Sequence, residues 1–205
     1  MVKVKFCGFT RKEDLKKALE LGVDYVGFIL YSKSPRHVAY DKLEELLPIA
    51  EGVKRVAVLV NPSYGEVKRA LDLGFDLVQL HGEEDMDFAQ KIGLDRVIKA
   101  FRVREGLHID DKWKGAYAIL LDAYKEGEYG GTGQSFNWDF AKHIVSRGFK
   151  VFLAGGLNSK NVSEAIKYVK PYCVDVSSGI EIGPGVKDHR KMEEFINEVK
   201  NASED

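Results

Sequence analysis

Residues 18–26 of the chain read ALELGVDYV, and residues 70–78 read ALDLGFDLV. Each copy is predicted to be the end of a helix, then a glycine suited to the left-handed position after a helix (Gly22 or Gly74), then an aspartate that opens a strand. The copies are separated by about two strand–helix units of ~25 residues each. The repeat therefore predicts a regular alternation of strands and helices.

Eight apolar segments have the length and composition of strands, and helical stripes lie between them. The strands are continuous apolar runs, which is typical of a parallel sheet covered by helices on its outer face. The segment 103–114 is too short and broken for a good helix, so one unit is predicted to be degenerate. The predicted strands are residues 2–7, 24–30, 54–60, 76–81, 96–101, 116–122, 149–154 and 172–177.

This pattern predicts a single-domain α/β fold over residues 1–205, a (β/α)8 TIM barrel of the phosphate-binding type. The alternative is an open doubly wound sheet, which usually carries a glycine-rich fingerprint after its first strand. Here the first strand is followed by Cys7-Gly8-Phe9-Thr10, with no G-x-G-x-x-G, so the barrel is favoured. No linker or low-complexity segment divides the chain.

The composition is that of a globular protein and argues against several classes of function. The chain has 205 residues, 44% of them hydrophobic and 31% charged, with a formal net charge of −1. This charge argues against general binding to nucleic acid or membrane surfaces. No apolar run approaches the ~20 residues of a membrane span, and the start lacks a secretory signal, so a cytoplasmic protein is expected.

Cysteine and histidine spacing predicts neither a metal site nor a disulfide framework. Cys7 and Cys173 fit no such pattern, and the five histidines are scattered. We therefore expect no metal and no cofactor. The sequence leaves a homodimer and a monomer both open.

Cys7 and Asp122 stand at the ends of predicted strands, where barrels place their chemistry. Cys7 could be a small buried hydrophobe, but at the end of the first strand it is expected to face the barrel mouth near helix N-termini, which favour the thiolate. Asp122 could merely cap a turn, but at the mouth it is a candidate catalytic acid. Together they would form an acid–base pair. Cys173, at the start of the last strand, is expected in the core.

Glycine-rich turns follow predicted strands six, seven and eight. In barrels, a phosphate commonly binds backbone N–H groups of the loops after strands seven and eight. Here those loops contain Gly155-Gly156 and Ser178-Gly179, and the segment 127–135 after strand six is glycine-rich too. Tight turns alone could explain one Gly-Gly pair. Two such loops in these units favour a phosphate site, because glycine lets the backbone approach an anion closely.

Three further side chains are candidates for substrate binding. Arg36, in the loop after strand two, could bind a carboxylate, although a solvated surface charge is the commoner fate of a single arginine. His81 closes strand four and could orient substrate or exchange a proton; a structural histidine is an equal alternative. Asp175, within strand eight, is a possible partner of a ribose hydroxyl. The lysine- and glutamate-rich segments 11–17 and 187–200 are expected to face solvent.

Taken together, the motifs resemble the phosphoribosylanthranilate isomerase family of tryptophan biosynthesis, essentially from end to end. Phe9 stands where the family more often has Ile or Leu, and Ala154 where it often has Ser or Leu; both changes are conservative. The motifs that carry the resemblance are KFCGFT (5–10), VGF (26–28), SPR (34–36), VQLHG (78–82), LD (121–122), GGTG (130–133), LAGGL (153–157) and VDVSSGIE (174–181).

The resemblance implies an Amadori rearrangement of N-(5-phosphoribosyl)anthranilate to 1-(2-carboxyphenylamino)-1-deoxyribulose 5-phosphate. It implies Asp122 as the general acid, Cys7 as the general base and Arg36 on the anthranilate carboxylate. It also implies that the phosphate binds at Gly155-Gly156 and Ser178-Gly179, with no cofactor. The residues alone, without the resemblance, predict a barrel enzyme acting on a sugar phosphate.

Two other functions stay open. One is a neighbouring phosphate-binding barrel enzyme. An indole-glycerol-phosphate synthase normally relies on a lysine acid, for which Lys5 is the only obvious candidate near strand one. The histidine-pathway aminoaldose isomerase uses an aspartate where Cys7 stands. The other is a non-catalytic barrel that binds a phosphorylated metabolite. The presence of both Cys7 and Asp122 argues against the second.

Overall fold

Eight parallel strands close into a barrel in their sequence order, so that the last strand pairs with the first. This computed structural model describes residues 1–124 and 136–204. The barrel prediction is confirmed, and each predicted strand matches an observed one with ends that differ by one or two residues. The strands are β1 Lys3–Cys7, β2 Tyr25–Ile29, β3 Lys54–Leu59, β4 Leu77–Leu80, β5 Val97–Arg102, β6 Ala118–Asp122, β7 Val151–Ala154 and β8 Cys173–Val176.

Seven α-helices in the described ranges connect the strands and cover the outside of the barrel. None of them is both long enough and apolar enough to cross a membrane. They are α1 Lys12–Glu20, α2 Tyr40–Leu46, α3 Tyr64–Leu73, α4 Met86–Ile92, α5 Phe136–Ser146, α6 Val162–Val169 and α7 His189–Glu204.

The connection between β5 and β6 is the degenerate unit predicted at 103–114. It contains only the 3-10 turn Asp111–Gly115. Ile109 and Trp113 are buried, and Trp113 packs edge-on against Phe101 with ring centroids 5.9 Å apart. Apolar side chains therefore cover the barrel at the place where a helix is missing.

A hairpin that the sequence did not predict lies between β8 and α7. Its strands, β9 Glu181–Gly183 and β10 Val186–Lys187, pair antiparallel. The prediction that segment 187–200 faces solvent is wrong for Lys187, which is buried. Its charge is tolerated there because Nζ lies 3.0 Å from the carboxylate of buried Glu181.

Two apolar cores lie on the two faces of the sheet. Successive strand residues point to opposite faces, and both faces are buried, which is why the strands read as continuous apolar runs. The larger core fills the layer between strands and helices. Cys173 is fully buried in the smaller core, as predicted. The smaller core fills the barrel with Tyr25, Val56, Leu77, Ile98, Ala100, Ala118, Leu120, Phe152, Ala154 and Cys173.

The repeated segments have the same local geometry. Gly22 and Gly74 adopt φ angles of +78° and +114°, a conformation that costs glycine little. The carboxylates of Asp24 and Asp76 each accept a hydrogen bond, at 2.9 and 2.8 Å, from a backbone N–H near the start of the preceding strand. The aspartate of each repeat therefore ties the start of its own strand to the start of the preceding strand, at the amino-terminal end of the barrel.

Gly27 makes room for Cys7 across the β1–β2 pair. The two residues are direct partners in the strand register. A Cβ at Gly27 would lie 2.6 Å from Cys7 Sγ and 3.3 Å from Cys7 Cβ. The sulfur therefore depends on the absence of a side chain on the neighbouring strand.

The contact predicts that Gly27→Ala lowers the free energy of unfolding by about 1–3 kcal/mol, the usual cost of overpacking, as measured by urea denaturation. Gly183→Ala is the control, because a Cβ there meets nothing within 4 Å. In Cys7→Ala/Gly27→Ala the closest contact is gone, so part of the loss should be recovered. Strict additivity of the two changes would contradict the contact.

Candidate active site

A pocket of about 170 Å³ opens at the carboxyl ends of β4, β6, β7 and β8. It brings together seven of the predicted site residues from four separate strands. Cys7 and Arg36 are not part of its lining. They lie on its β1 side, where a Cβ at Gly8 would lie 2.8 Å from Arg36 Cδ and 2.9 Å from Ser177 Oγ. The lining residues are His81, Leu120, Asp122, Ala154, Gly155, Gly156, Leu157, Asp175, Val176, Ser177, Ser178 and Gly179.

Asp122 is the last residue of β6, and the neighbouring backbone holds its carboxylate. Oδ1 accepts a hydrogen bond from the Tyr124 N–H at 3.0 Å. The same oxygen would lie 2.4 Å from a Cβ at Gly155, so the glycine lets the β7 loop pass close to the carboxylate. Asp122 is partly exposed and lines the pocket. It is therefore placed to exchange a proton with a bound molecule.

The loops after β7 and β8 approach each other so closely that glycine is required. Gly155 and Gly156 have φ angles of +99° and +70°, and a Cβ at Gly179 would lie 2.0 Å from the Leu157 carbonyl oxygen. Asn161 Nδ2 donates to the Gly156 carbonyl oxygen at 2.9 Å and fixes the β7 loop. The result is a pocket wall made of backbone, the kind of surface that binds phosphate.

Cys7 is buried at the end of β1 among charged groups. Its exposed fraction is 6%. Lys5, two residues earlier, is fully buried, and its ammonium lies 2.8 Å from Asp175 Oδ1. Burial raises the pKa of Cys7; Lys5 opposes this rise, Asp175 adds to it and Lys187 opposes it. Lysine side chains therefore favour the thiolate here, and the predicted effect of helix N-termini stays a prediction.

Arg36 reaches the mouth from the β2–α2 loop and is held by Glu181. Its Nε lies 3.1 and 3.0 Å from the two carboxylate oxygens, and its Nη2 lies 2.6 Å from Oε1. A Cβ at Gly8 would lie 2.8 Å from Arg36 Cδ, so the arginine lies over the end of the strand that carries Cys7. The guanidinium is thus at the mouth, already paired with one carboxylate.

Lys187 joins three elements at the mouth. Its Nζ donates to the carbonyl oxygen of Cys7, donates to that of Ser177 at 3.3 Å, and pairs with Glu181 at 3.0 Å. Burial lowers the pKa of Lys187, and Glu181 opposes this fall. Lys187 therefore clamps the ends of β1 and β8 to the hairpin.

His81 follows β4 and faces the pocket. Gln79 Nε2 lies 2.9 Å from His81 Nδ1. Burial lowers the pKa of His81, so its imidazole is neutral at physiological pH. In the described part of the chain, Gln79 Oε1 and Ser177 Oγ are buried without a hydrogen-bond partner. Because buried polar atoms are usually paired, these two atoms mark places where a bound polar molecule can supply the missing hydrogen bond.

Sequence reasoning missed the role of Lys5, Glu181 and Lys187 around the site. Only Lys5 carried a usable signal, since a lysine two residues before Cys7 in an otherwise buried strand must share its face. The glycine-rich segment 127–135 lies outside the described residues. Within residues 1–124 and 136–204, no group of three or more histidine, cysteine, aspartate or glutamate side chains could hold a metal ion.

The sequence matches a known protein family over nearly its whole length. The family model described as N-(5'phosphoribosyl)anthranilate (PRA) isomerase matches residues 4–198. The N-(5'-phosphoribosyl)anthranilate isomerase of Aquifex aeolicus (strain VF5) is 52% identical over 203 residues, which cover 98% of this chain and 100% of that protein.

Crystal structures of the same family have the same fold. Phosphoribosyl anthranilate isomerase from Thermotoga maritima superposes with a TM-score of 0.84 at 37% identity, over 98% of this chain and 100% of that one. A phosphoribosyl anthranilate isomerase in complex with reduced 1-(o-carboxyphenylamino)-1-deoxyribulose 5-phosphate gives 0.83 at 34% identity, over 98% and 100%. By sequence and by fold, the chain belongs to the N-(5'-phosphoribosyl)anthranilate isomerase family.

Proposed function

We propose that this protein converts N-(5-phosphoribosyl)anthranilate to 1-(2-carboxyphenylamino)-1-deoxyribulose 5-phosphate in tryptophan biosynthesis. The reaction is an Amadori rearrangement, in which an aldose becomes a ketose without net oxidation. Family membership supports the proposal. The observation that carries it is a single pocket that joins the Asp122 carboxyl to the glycine walls of the β7 and β8 loops, with the Cys7 thiol beside it.

Asp122 serves as the general acid in this proposal. It gives a proton to the ribose ring oxygen, the bond between C1 and that oxygen breaks, and the nitrogen lone pair forms a protonated C=N bond at C1. The role suits Asp122 because the Tyr124 N–H fixes its carboxyl group at the pocket wall. A fixed acid loses little freedom when it meets the substrate.

Cys7 serves as the general base. Its thiolate takes the proton from C2, the C–H electrons form a C1=C2 double bond, and the C=N electrons return to nitrogen. The resulting enolamine tautomerises to the amino ketone: C1 gains a proton, and the C2 hydroxyl loses its proton as the C2=O bond forms. The positive charge on the C=N nitrogen makes the C2 proton more acidic, so the thiolate can remove it. Because burial raises the pKa of the Cys7 thiol, its thiolate is also a stronger base.

The two charged ends of the substrate fit the two ends of the site. The phosphate binds backbone N–H groups at Gly155-Gly156 and Ser178-Gly179, which line the pocket. The anthranilate carboxylate binds Arg36. Among the described residues, Arg36 Nη1 makes no hydrogen bond, and the side chain is 20% exposed, so one edge of the guanidinium remains available beside Glu181. His81 and Asp175 face the sugar between these ends.

An assay that generates the unstable substrate from anthranilate and phosphoribosyl pyrophosphate tests the proposal. Adding this protein should remove the anthranilate-type fluorescence. Cys7→Ala and Asp122→Asn should each lower kcat by ~10²-fold or more, the scale for loss of a proton-transfer group, with much smaller changes in binding of a product analogue.

Matched substitutions elsewhere control for general damage. Cys173→Ala removes the other buried thiol, and Asp111→Asn removes an exposed carboxylate that pairs with Arg147. Both should keep kcat near that of the parent protein. Near-full kcat in folded Cys7→Ala or Asp122→Asn would contradict the assigned role, and no loss of fluorescence with the parent protein would contradict the function itself.

The same assay predicts a different signature for Arg36. Arg36→Ala should raise KM by ~10-fold or more with a smaller change in kcat, because the guanidinium holds the substrate and takes no part in proton transfer. Arg55→Ala is the control, since Arg55 pairs with Asp76 at the amino-terminal end of the barrel. An unchanged KM in Arg36→Ala would remove the arginine from the site.

A further inference from the structure

One cation lies inside the barrel next to the Cys7 thiol. Lys5 and Cys7 are alternate residues of β1, so their side chains share the interior face. The Lys5 side chain is 0% exposed, and its Nζ lies 2.8 Å from Asp175 Oδ1. The β1–β8 register pairs Lys5 with Asp175 directly. Because a buried ammonium is costly unless it is paired, a lysine at this position indicates a role for its charge.

The other two cations near the thiol are held at the mouth by one shared carboxylate. Lys187 and Arg36 share the Glu181 carboxylate, at 3.0 and 2.6 Å, and Asp175 is an anion that favours the protonated thiol. Lys5 is paired with Asp175 in turn, but it shares the interior face of β1 with Cys7 and favours the thiolate more strongly than Lys187 does. The charged groups that face Cys7 are Lys5 of β1, Asp175 of β8, Lys187 of β10 and Arg36 of the β2–α2 loop.

We propose that Lys5 is a positioning residue of the active site: its ammonium, anchored by Asp175, stabilises the Cys7 thiolate without touching substrate. The inference rests on the proposed function, in which Cys7 is the base. Burial alone would lower the pKa of Lys5, but Asp175 and Cys7 hold it above its ordinary value. Lys5 therefore stays protonated while the neighbouring sulfur gains and loses its proton.

The test measures the ionisation of Cys7 in the free protein, without substrate. Thiolate absorbance is followed against pH, and each protein is corrected with the same protein carrying Cys7→Ala. Lys5→Met removes the cation and leaves the Asp175 anion near the sulfur, so the pKa of Cys7 rises. The midpoint of the Cys7 titration should move up by about one pH unit or more, which is a ~10-fold fall in the thiolate fraction at any pH below the midpoint.

A double variant separates charge from packing. Lys5→Met/Asp175→Asn removes both charges. The pKa of its Cys7 should therefore be higher than in the parent protein and lower than in Lys5→Met. A purely structural role gives no reason for this order. If Lys5→Met fails to fold because Asp175 is left without its partner, the double variant decides the question, because the pKa of its Cys7 must still lie above that of the parent protein.

Lys99→Met is the matched control. Lys99 is another buried lysine on a barrel strand, and its Nζ lies 3.0 Å from the buried carboxylate of Glu84. It also donates to the Gly82 carbonyl oxygen outside the barrel, away from Cys7. Lys99→Met should leave the Cys7 titration unchanged. The inference would be overturned if the pKa of Cys7 shifted equally in Lys99→Met. It would also be overturned if both Lys5 variants had the same Cys7 pKa as the parent protein.

Failure of this inference and failure of the proposed function give different results. The kcat of Lys5→Met should fall at neutral pH and recover as pH rises, with little change in KM. An unshifted titration together with an inactive Cys7→Ala would overturn only the role of Lys5. A shifted Cys7 titration in Lys5→Met together with an active Cys7→Ala would show that Cys7 is not the base. The effect of Lys5 on the ionisation of Cys7 would then still hold.

Discussion

The pairing of the last barrel strand with the first is the constraint on which the site depends. β8 binds β1 in parallel, from Lys3 opposite Cys173 to Phe6 opposite Val176. Because all eight strands run the same way around a closed ring, their carboxyl ends must meet at one mouth. This closure brings Cys7, near the start of the chain, next to Asp175, which lines the same pocket as Asp122.

The two ends of the barrel interior differ in what they bury. Aromatic and aliphatic side chains fill the amino-terminal part, where the Tyr25 and Phe152 rings lie 5.0 Å apart. The carboxyl-terminal part buries the Lys5–Asp175 pair, and Glu181 with its two cations closes the mouth nearby. Buried ion pairs contribute little net stability, and removing one partner is strongly destabilising. Their concentration at the mouth is therefore better explained by chemistry than by stability.

Much of the fold follows from the sequence because its signals are local. The ALELG and ALDLG repeat, the glycines that follow, and the apolar strand runs each depend on neighbouring residues, and the strands lie where they are predicted. The strand-end rule also places His81 and Asp122 at one pocket, which Asp175, from within β8, lines as well. What the sequence could not predict is long-range or very short. Arg36 and Glu181 are 145 residues apart, and the two- and three-residue strands of the hairpin leave no periodic pattern.

A crystal structure of this protein with reduced 1-(o-carboxyphenylamino)-1-deoxyribulose 5-phosphate tests most directly whether sulfur and carboxyl act on one sugar. That compound is bound by a family member of the same fold. We expect the Cys7 sulfur and an Asp122 oxygen to lie on opposite sides of the ribulose chain, each within contact distance, with the phosphate on the β7 and β8 loops. A complex in which either group is separated from the sugar by protein atoms would contradict the account.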